Sequence, residues 1–393
     1  MAGADSTYRL SNPGRLGTVA LVVGILGLAG SIGAYFQDQS QFYFSWLIAF
    51  VFWTTIALGG LFFTMLHHLV AATWSVVLRR LAENLAGPLV LMAVFFTPVL
   101  FGMHDLFHWT HADAMAHDEL LQGKSGYLNP TFFVIRGFGY FVVWIVLWLL
   151  LRRVSLGQDV APSSRQTKRM ITISAPGMIL FGITITFAGF DWLMSLDPHW
   201  YSTIFGVYIF AGALVGVISF LILLSLALRR KGVLEGIVTS EHDHDLGKLL
   251  FAFTIFWGYM AFSQYFLIWY GNIPEETVWM LHRWEGSWKT VTLALVFGHF
   301  VLPFFALFPH ATKRFRPAML TIALWMLAMH WLDLYWIAMP ILHHHGAHIS
   351  WVDLTTMFGI GGIFIWWTWR MIAAQPVVPV GDPKLEASIH HHQ

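Results

Sequence analysis

Ten apolar runs, each about 20 residues long, constrain this chain more than any other feature of its sequence. At a rise of about 1.5 Å per residue, a helix of this length crosses a hydrocarbon layer about 30 Å thick. Such a layer offers no water to backbone amides, so a crossing segment must satisfy its own hydrogen bonds as a helix. The sequence therefore predicts an all-α polytopic membrane protein with ten transmembrane helices. The runs lie near residues 15–36, 42–67, 85–104, 130–152, 169–196, 201–229, 248–271, 286–308, 317–340 and 353–373.

The composition agrees with a lipid environment and excludes several cofactors. Only 11% of the residues are charged, against about a quarter in soluble domains. Cysteine is absent, which excludes an iron–sulfur cluster, a covalently attached haem and a disulfide framework within the chain. A net charge of +1 favours no nucleic-acid partner. The first run is long enough to span, so it is interpreted as a helix and not as a removed signal peptide.

Lysine and arginine predict the orientation of the spans, because these residues accumulate in cytoplasmic loops. With the N-terminus inside, 18 of the 22 lysines and arginines fall on the cytoplasmic side. Lys124, Arg283 and Lys289 lie in or beside outer loops, and Arg136 lies within a span. Both termini are thus expected to be cytoplasmic. They form tails without fixed structure, residues 1–14 and 374–393, around a membrane domain of residues 15–373.

Two sets of spans show a weak correspondence of their polar positions. Spans two to five, about residues 42–196, carry Arg136 and Asp191. Spans six to nine, about residues 201–340, carry Lys289 and then the pair His330 and Asp333. An offset of four spans preserves direction, so the pattern fits a parallel repeat of two four-helix bundles with two peripheral helices. The tendency of polar residues to cluster near helix ends explains the same pattern.

Two other features leave alternatives open. Residues 71–86 are expected to form a helical extension of either span two or span three. Small surfaces in the first and last spans suit close helix packing, either within the chain or against another subunit. The glycines that form them are Gly24, Gly27, Gly30, Gly33, Gly359, Gly361 and Gly362.

Ionisable side chains at membrane depth are costly, so each is a candidate functional group. Asp191 and Arg136 have similar calculated depths, with Tyr140 one turn further in. They either form an ion pair that only orders the bundle or take part in proton transfer. His330 and Asp333 are three residues apart and share a helix face. There the carboxylate can orient the imidazole for proton transfer, although a satisfied structural histidine fits the spacing too.

A polar stripe on span eight contains Lys289, Thr292 and His299, and Pro303 leaves the carbonyl of His299 without its helical donor. Such a carbonyl beside an ionisable ring can hold water, although a kink without function explains the proline alone. Tyr259 on span seven is expected to extend the same polar interior.

Polar groups also lie at both ends of the spans. His68 and Glu83, with their neighbours His67, Arg79 and Arg80, form either a proton entrance or, as the simpler interpretation, a solvated inner helix end. The outer histidines at positions 104, 108 and 111 have helical spacing. A wet partner-binding surface accounts for them and for Asp105 better than a metal site, and no metal is predicted.

Two long runs give the chain a family resemblance. Residues 187–212 read FAGFDWLMSLDPHWYSTIFGVYIFAG, and residues 250–277 read LFAFTIFWGYMAFSQYFLIWYGNIPEET. Both resemble the ActF-type membrane subunit of bacterial alternative complex III, within the NrfD-like family of ten-span polysulfide-reductase membrane subunits. The resemblance extends over essentially all ten spans, and these two runs have an aromatic order that generic hydrophobicity does not produce.

The resemblance implies a subunit of a respiratory quinol:electron-acceptor oxidoreductase in the bacterial cytoplasmic membrane. The implied partners are multihaem and monohaem cytochrome c subunits, an iron–sulfur subunit and a related ten-span NrfD-like subunit, with lipids around them. Haem and iron–sulfur centres would belong to these partners, and quinol or quinone would be the one cofactor near this chain. No catalysis is expected of the isolated chain.

Within such a complex we expect proton conduction, with quinol binding as the alternative. The expected proton pathway comprises Asp191, Arg136, His330, Asp333, His299, Lys289, Tyr259, Glu83 and His68. The alternative quinol site comprises His104, Asp105, Arg136 and Asp191 at the outer end. A secondary transporter is a further class that fits ten spans with buried charges. It lacks support from a pair of Gly/Pro-broken helices at corresponding mid-span positions. A purely structural membrane anchor is the third class.

Overall fold

The computed structural model of the protein describes residues 8–10 and 12–392. Ten helices in this part of the chain are long and apolar enough to cross a membrane, and no strand occurs in it. The prediction of an all-α polytopic membrane protein with ten spans is confirmed. The helices are α1 (Leu16–Tyr35), α2 (Gln39–Leu69), α3 (Val76–Phe101), α4 (Pro130–Val160), α5 (Ser164–Leu196), α6 (Phe205–Arg230), α7 (Ser240–Gly271), α8 (Trp288–Leu307), α9 (Arg316–Ile341) and α10 (Trp351–Ala374).

Several helices extend beyond the apolar runs at the end of the bundle that carries both termini. We call this the inner end, following the predicted orientation, and the opposite end the outer end. Of the segment 71–86, which the sequence assigned to either span two or span three, Val76–Ala86 is helical and forms the first part of α3, while residues 71–75 form the turn after α2. The polar residues in these extensions form ion pairs with residues of neighbouring helices.

The helices pack as two rings of four. Each of the helices α2, α3 and α4 contacts the next helix along the chain, and α5 contacts α2, which completes the first ring. Helices α6 to α9 form the second ring in the same way. Contacts of α2 with α6 and α9, and of α5 with α6, join the two rings. In the apolar 18-residue stretch of each helix, 94% of the residues of α2 and 83% of those of α6 are buried. These two helices therefore form the centre of the molecule. The predicted pair of four-helix bundles, with α1 and α10 outside them, is confirmed.

The peripheral helices α1 and α10 pack against each other through glycine. A Cβ atom added at Gly27 would lie 2.5 Å from the backbone nitrogen of Gly359, and one added at Gly359 would lie 2.9 Å from that of Leu28. Backbones approach this closely only where side chains are absent. Of the two alternatives that the sequence left open for these glycines, the structure favours packing within the chain.

We expect Gly27→Leu to separate α1 from α10 and to lower the free energy of unfolding by about 1–3 kcal/mol, the usual cost of overpacking. Gly33→Leu is the matched control, since a Cβ at Gly33 meets nothing within 4 Å. Thermal unfolding of both variants in detergent, followed by size-exclusion chromatography, measures the difference. Equal melting temperatures for the two variants would contradict the packing.

The C-terminal tail is ordered, which corrects the expectation that it lacks fixed structure. Residues 375–392, the C-terminal strap, run across the inner ends of both bundles. Val377 and Val378 are completely buried, and the Val377 amide donates to the Tyr8 carbonyl over 2.9 Å. Ser388 Oγ donates to the Trp74 carbonyl over 2.8 Å. Two buried valines and these specific hydrogen bonds compensate for the entropy of ordering a polar segment. Most of the N-terminal tail, residues 1–7 and 11, lies outside the described residues.

Candidate functional site

A buried carboxyl group without a cationic partner lies in the second bundle. Asp333 on α9 is 2% exposed. Its Oδ1 accepts a hydrogen bond from the Tyr208 hydroxyl on α6, and its Oδ2 accepts one from Trp257 Nε1 on α7 at 3.0 Å. No lysine, arginine or histidine among the described residues forms an ion pair with it. Asp333 is therefore held by two neutral donors from two other helices.

His330 lies one turn before Asp333, but the two side chains do not hydrogen-bond to each other. His330 Nε2 lies 2.9 Å from Thr55 Oγ1 on α2, and its Nδ1 has no partner among the described residues. Gly212 and Gly216 on α6 leave room for the ring, because a Cβ at either would lie 3.1 Å from it. His330 thus connects the second bundle to the central helix of the first.

His299 completes this group from α8. Its ring stacks on Trp257 with 3.8 Å between centroids, it is completely buried, and neither ring nitrogen has a partner in the described chain. The helix around it widens into a π-helical segment, Leu295–Val301, just before Pro303. Such segments often occur at functional sites. We call His299, His330, Asp333, Tyr208 and Trp257 the central polar cluster.

The first bundle places its carboxyl group differently. Asp191 on α5 accepts two hydrogen bonds from Arg136 on α4, from Nε at 2.8 Å and from Nη2 at 2.9 Å. Tyr140 donates to the same carboxylate at 2.7 Å, and Arg136 Nη1 donates to the Tyr127 carbonyl at 2.9 Å. Asp191 is therefore fully paired in a bidentate, charge-assisted geometry. The sequence suggested this contact from the similar depths of the two residues.

At the inner end, Glu83 binds three arginines. Its carboxylate lies 3.4 Å from Arg79 Nε, 3.3 Å from Arg80 Nε and 3.4 Å from Arg152 Nη1. Ser155 Oγ donates to both of its oxygens, at 2.8 and 3.0 Å. All of these side chains are buried. The simpler interpretation of this region as a solvated helix end is therefore wrong.

Two further carboxylates balance the three arginines, and one of them comes from the strap. Asp382 lies 2.6 Å from Arg79 Nη1, and Asp159 lies 2.7 Å from Arg80 Nη2. The inner network thus joins three cations to three anions. His68, also named as a pathway residue, is buried beside it with its Nε2 unpartnered among the described residues. The partners Asp159 and Asp382 are distant in sequence, which is why the sequence did not indicate burial.

Four of the predicted site residues lie at the surface. Lys289 is exposed, with its ammonium 5.3 Å from the Trp284 ring centroid. Tyr259 is 62% exposed on the outward face of α7 and does not extend the polar interior. His104 and Asp105 are exposed as well.

The four residues of the alternative quinol site do not form one pocket. The backbone carbonyl of His104 lies 2.7 Å from His111 Nε2, and the rings of these histidines stack at 4.0 Å. Asp105 accepts a hydrogen bond from Ser40 at 3.2 Å. Neither residue forms a hydrogen bond or an ion pair with Arg136 or Asp191 in the described chain. Within residues 8–10 and 12–392, no group of three or more His, Cys, Asp or Glu side chains is arranged to hold a metal ion.

Sequence reasoning missed the donors to Asp333 and a buried outer arginine. Tyr208 and Trp257 appeared only within the aromatic runs, and no spacing rule connects residues on different helices. Arg283 was assigned to an outer loop, yet it is 2% exposed. Its guanidinium donates to the carbonyls of Trp336, Trp279 and Ile337 at 3.1, 2.9 and 2.6 Å. Burial lowers the pKa of Arg283 to about 9.

A second missed group connects the outer surface to α10. Asp353 accepts hydrogen bonds from Ser45 Oγ at 2.5 Å and from Gln41 Nε2 at 3.3 Å. Gln41 Oε1 in turn accepts one from His343 Nε2 at 2.7 Å. Burial lowers the pKa of His343. The acidic residue at the start of the last span was the available signal for this group.

No protein-family model matches the chain, and no curated protein matches it. Function must therefore be inferred from the buried groups of the two bundles and from the resemblance carried by the two aromatic runs.

We expect Asp191→Ala to destabilise the protein by about 3–5 kcal/mol, because it leaves the buried Arg136 guanidinium without its carboxylate. Asp105→Ala, at an exposed carboxylate, should change the free energy of unfolding little. Unfolding of both variants in mixed detergent micelles measures the two effects. A stability of Asp191→Ala equal to that of the unmodified protein would mean that water replaces the carboxylate and that the pair has no structural role.

Proposed function

We propose that the protein is an integral subunit of a respiratory quinol:electron-acceptor oxidoreductase of the alternative complex III type. In this proposal it lies in the bacterial cytoplasmic membrane with both termini cytoplasmic, contributes a proton pathway and scaffolds the redox subunits. The ten-span, two-bundle architecture, the absence of cysteine and the aromatic runs support membership in such a complex. The distribution of lysine and arginine supports the orientation.

The observation that carries the proton pathway is the environment of Asp333. Asp333 has hydrogen-bond donors but no counter-ion. It can therefore gain or lose a proton without separating an ion pair. Asp191 instead forms an ion pair with Arg136, and breaking such a pair is costly. Of these two carboxyl groups, Asp333 is therefore the one suited to cycle between protonation states.

The neighbours of Asp333 supply further proton-exchanging groups. Three ring nitrogens, both of His299 and Nδ1 of His330, have no partner among the described residues, so each can exchange a proton with a transient water. Thr55 connects His330 to α2, whose inner end carries His68. The proposed pathway thus follows α2 from the inner end and reaches the central polar cluster. In this pathway Asp191 and Arg136 fix the first bundle and carry no protons.

We expect Asp333→Asn, measured in the purified complex in proteoliposomes, to lower the number of protons moved per electron while quinol oxidation continues. Asparagine keeps the size and hydrogen bonding of the side chain but does not titrate. Asp105→Asn, at the exposed outer carboxylate, is the matched control and should leave the coupling ratio unchanged.

Other outcomes of this experiment separate the alternatives. Loss of quinol affinity, with bound quinone missing from this subunit, would favour the quinol site. Unchanged rate and coupling would mean that Asp333 is structural and that the proton pathway is wrong. Substrate uptake by the chain alone in liposomes would favour a secondary transporter.

The orientation is tested by sided labelling, for which the natural absence of cysteine is convenient. Lys289 and Lys168 are both exposed, at opposite ends of the bundle. In intact spheroplasts, we expect a membrane-impermeant maleimide to label Lys289→Cys, and to label Lys168→Cys only after permeabilisation. The reverse pattern would invert the proposed topology and place the outer loops in the cytoplasm.

A further inference from the structure

Arg283 lies on the outer side of Asp333, about one helical turn away. Its guanidinium donates to the carbonyls of Trp336 and Ile337, which follow Asp333 on α9 by three and four residues. Helix α9 runs from the inner to the outer end, so at about 1.5 Å per residue these positions lie roughly 5 Å beyond Asp333. Pro340 has no amide hydrogen and leaves the Trp336 carbonyl without its helical donor, which Arg283 replaces.

The charge of Arg283 is held in place but not neutralised. Its guanidinium carbon lies 3.4 Å from the centroid of the Trp279 ring, and Thr292 Oγ1 donates to its backbone carbonyl at 2.7 Å. No carboxylate in the described chain forms an ion pair with it. The titratable groups whose charges reach it are Asp197, in the loop after α5, and Tyr208 on α6. Neutral carbonyls satisfy its donors, so the outer end of the second bundle contains a buried positive charge.

Buried aromatic rings surround this charge. Trp279 stacks on Trp200 with centroids 4.2 Å apart and packs edge-on against Trp336 at 5.2 Å. Trp200 packs against Phe205 at 5.8 Å, and Phe205 packs against Tyr208 at 6.2 Å. The four rings other than Tyr208 are at most 8% exposed. We call Arg283, Trp200, Phe205, Trp279 and Trp336 the outer plug.

The two sides of Asp333 therefore differ. One turn towards the inner end, His330 contacts Thr55 and has an Nδ1 without a partner among the described residues. One turn towards the outer end, a fixed cation lies among buried rings.

A fixed positive charge in a membrane pathway acts as an electrostatic barrier to protons and other cations. The barrier is strongest where water is excluded, because charges interact more strongly in a medium of low dielectric constant. Both conditions hold at the outer plug, whose cation is 2% exposed. The arrangement thus suits proton exchange between Asp333 and the inner end, and it opposes exchange with the outer end.

We propose that the outer plug is the outer gate of the proton pathway, and that the charge of Arg283 prevents passive proton flow between Asp333 and the outer surface. The gate rests on the proposed function, because it needs a pathway through Asp333. A passive route at this point would dissipate any proton gradient that the complex builds. Arg283 keeps its charge at neutral pH, since its pKa is about 9.

Passive proton leak through the reconstituted complex, in the absence of quinol, tests the gate. Pyranine inside the liposomes reports proton entry, which is driven by a potassium gradient and valinomycin. We expect Arg283→Gln to raise the leak about tenfold over that of the unmodified complex, and Arg283→Lys, which keeps the charge, to leave it low. Arg370→Gln is the matched control and should not leak, because Arg370 also lies over a tryptophan ring, at 5.3 Å from Trp366, but is exposed at the inner end.

The route of the leak is tested by adding Asp333→Asn to Arg283→Gln. We expect the double variant to be as tight as the unmodified complex, because the leak passes through Asp333. A leak that persists in the double variant would overturn the gate, as would a tight Arg283→Gln variant or an equal leak in Arg283→Lys. Arg283→Ala also removes the charge and takes the place of Arg283→Gln if the glutamine variant does not fold, as judged by size-exclusion chromatography.

Failure of the pathway and failure of the gate give different results. If Asp333→Asn alone leaves the number of protons moved per electron unchanged, the pathway is wrong. If Asp333→Asn lowers that number while Arg283→Gln remains tight, the pathway stands and only the gate is wrong.

Discussion

The packing of α2 against α6 joins the two bundles, and the contact of His330 with the first bundle depends on it. Gly59 on α2 permits this approach, because a Cβ there would lie 3.0 Å from the carbonyl oxygen of Ala213 on α6. Between helices in lipid, association depends on close packing and interhelical hydrogen bonds more than on the hydrophobic effect. The close approach of α2 brings Thr55 to His330, so a side chain of the first bundle also contacts the central polar cluster. A wider separation would leave that imidazole without its partner.

Charge is neutralised locally in most of the molecule. Arg136 pairs with Asp191, and the three arginines around Glu83 are balanced by it together with Asp159 and Asp382. Arg283 instead donates to three backbone carbonyls, two near the outer end of α9 and that of Trp279 in the loop between α7 and α8. Removing one member of a buried ion pair leaves an uncompensated charge. The proposed proton pathway therefore uses groups outside these networks.

The architecture was largely predictable, because lipid leaves a spanning chain few alternatives to an apolar helix. The Arg136 and Asp191 contact also followed from depth alone. The partners of Asp333 did not, since Tyr208 and Trp257 lie on other helices and look like ordinary packing aromatics in sequence. The C-terminal strap was misjudged for a related reason: its order depends on Val377, Val378 and a pairing of Asp382 with a residue about 300 positions earlier. Sequence reasoning finds depth and local spacing, but it does not find contacts between distant segments.

The two bundles carry a carboxyl group at corresponding positions but surround it with different side chains. Each has a carboxyl group on its last helix, Asp191 on α5 and Asp333 on α9. In the first bundle the preceding helix, α4, supplies Arg136 to that carboxylate. In the second, the corresponding cation, Lys289 on α8, lies exposed at the outer end. Helix α8 instead places His299 inside through its π-helical turn. In the proposed proton pathway, the absence of a paired cation and the presence of an unpartnered imidazole are what distinguish the second site from the ion pair of the first bundle.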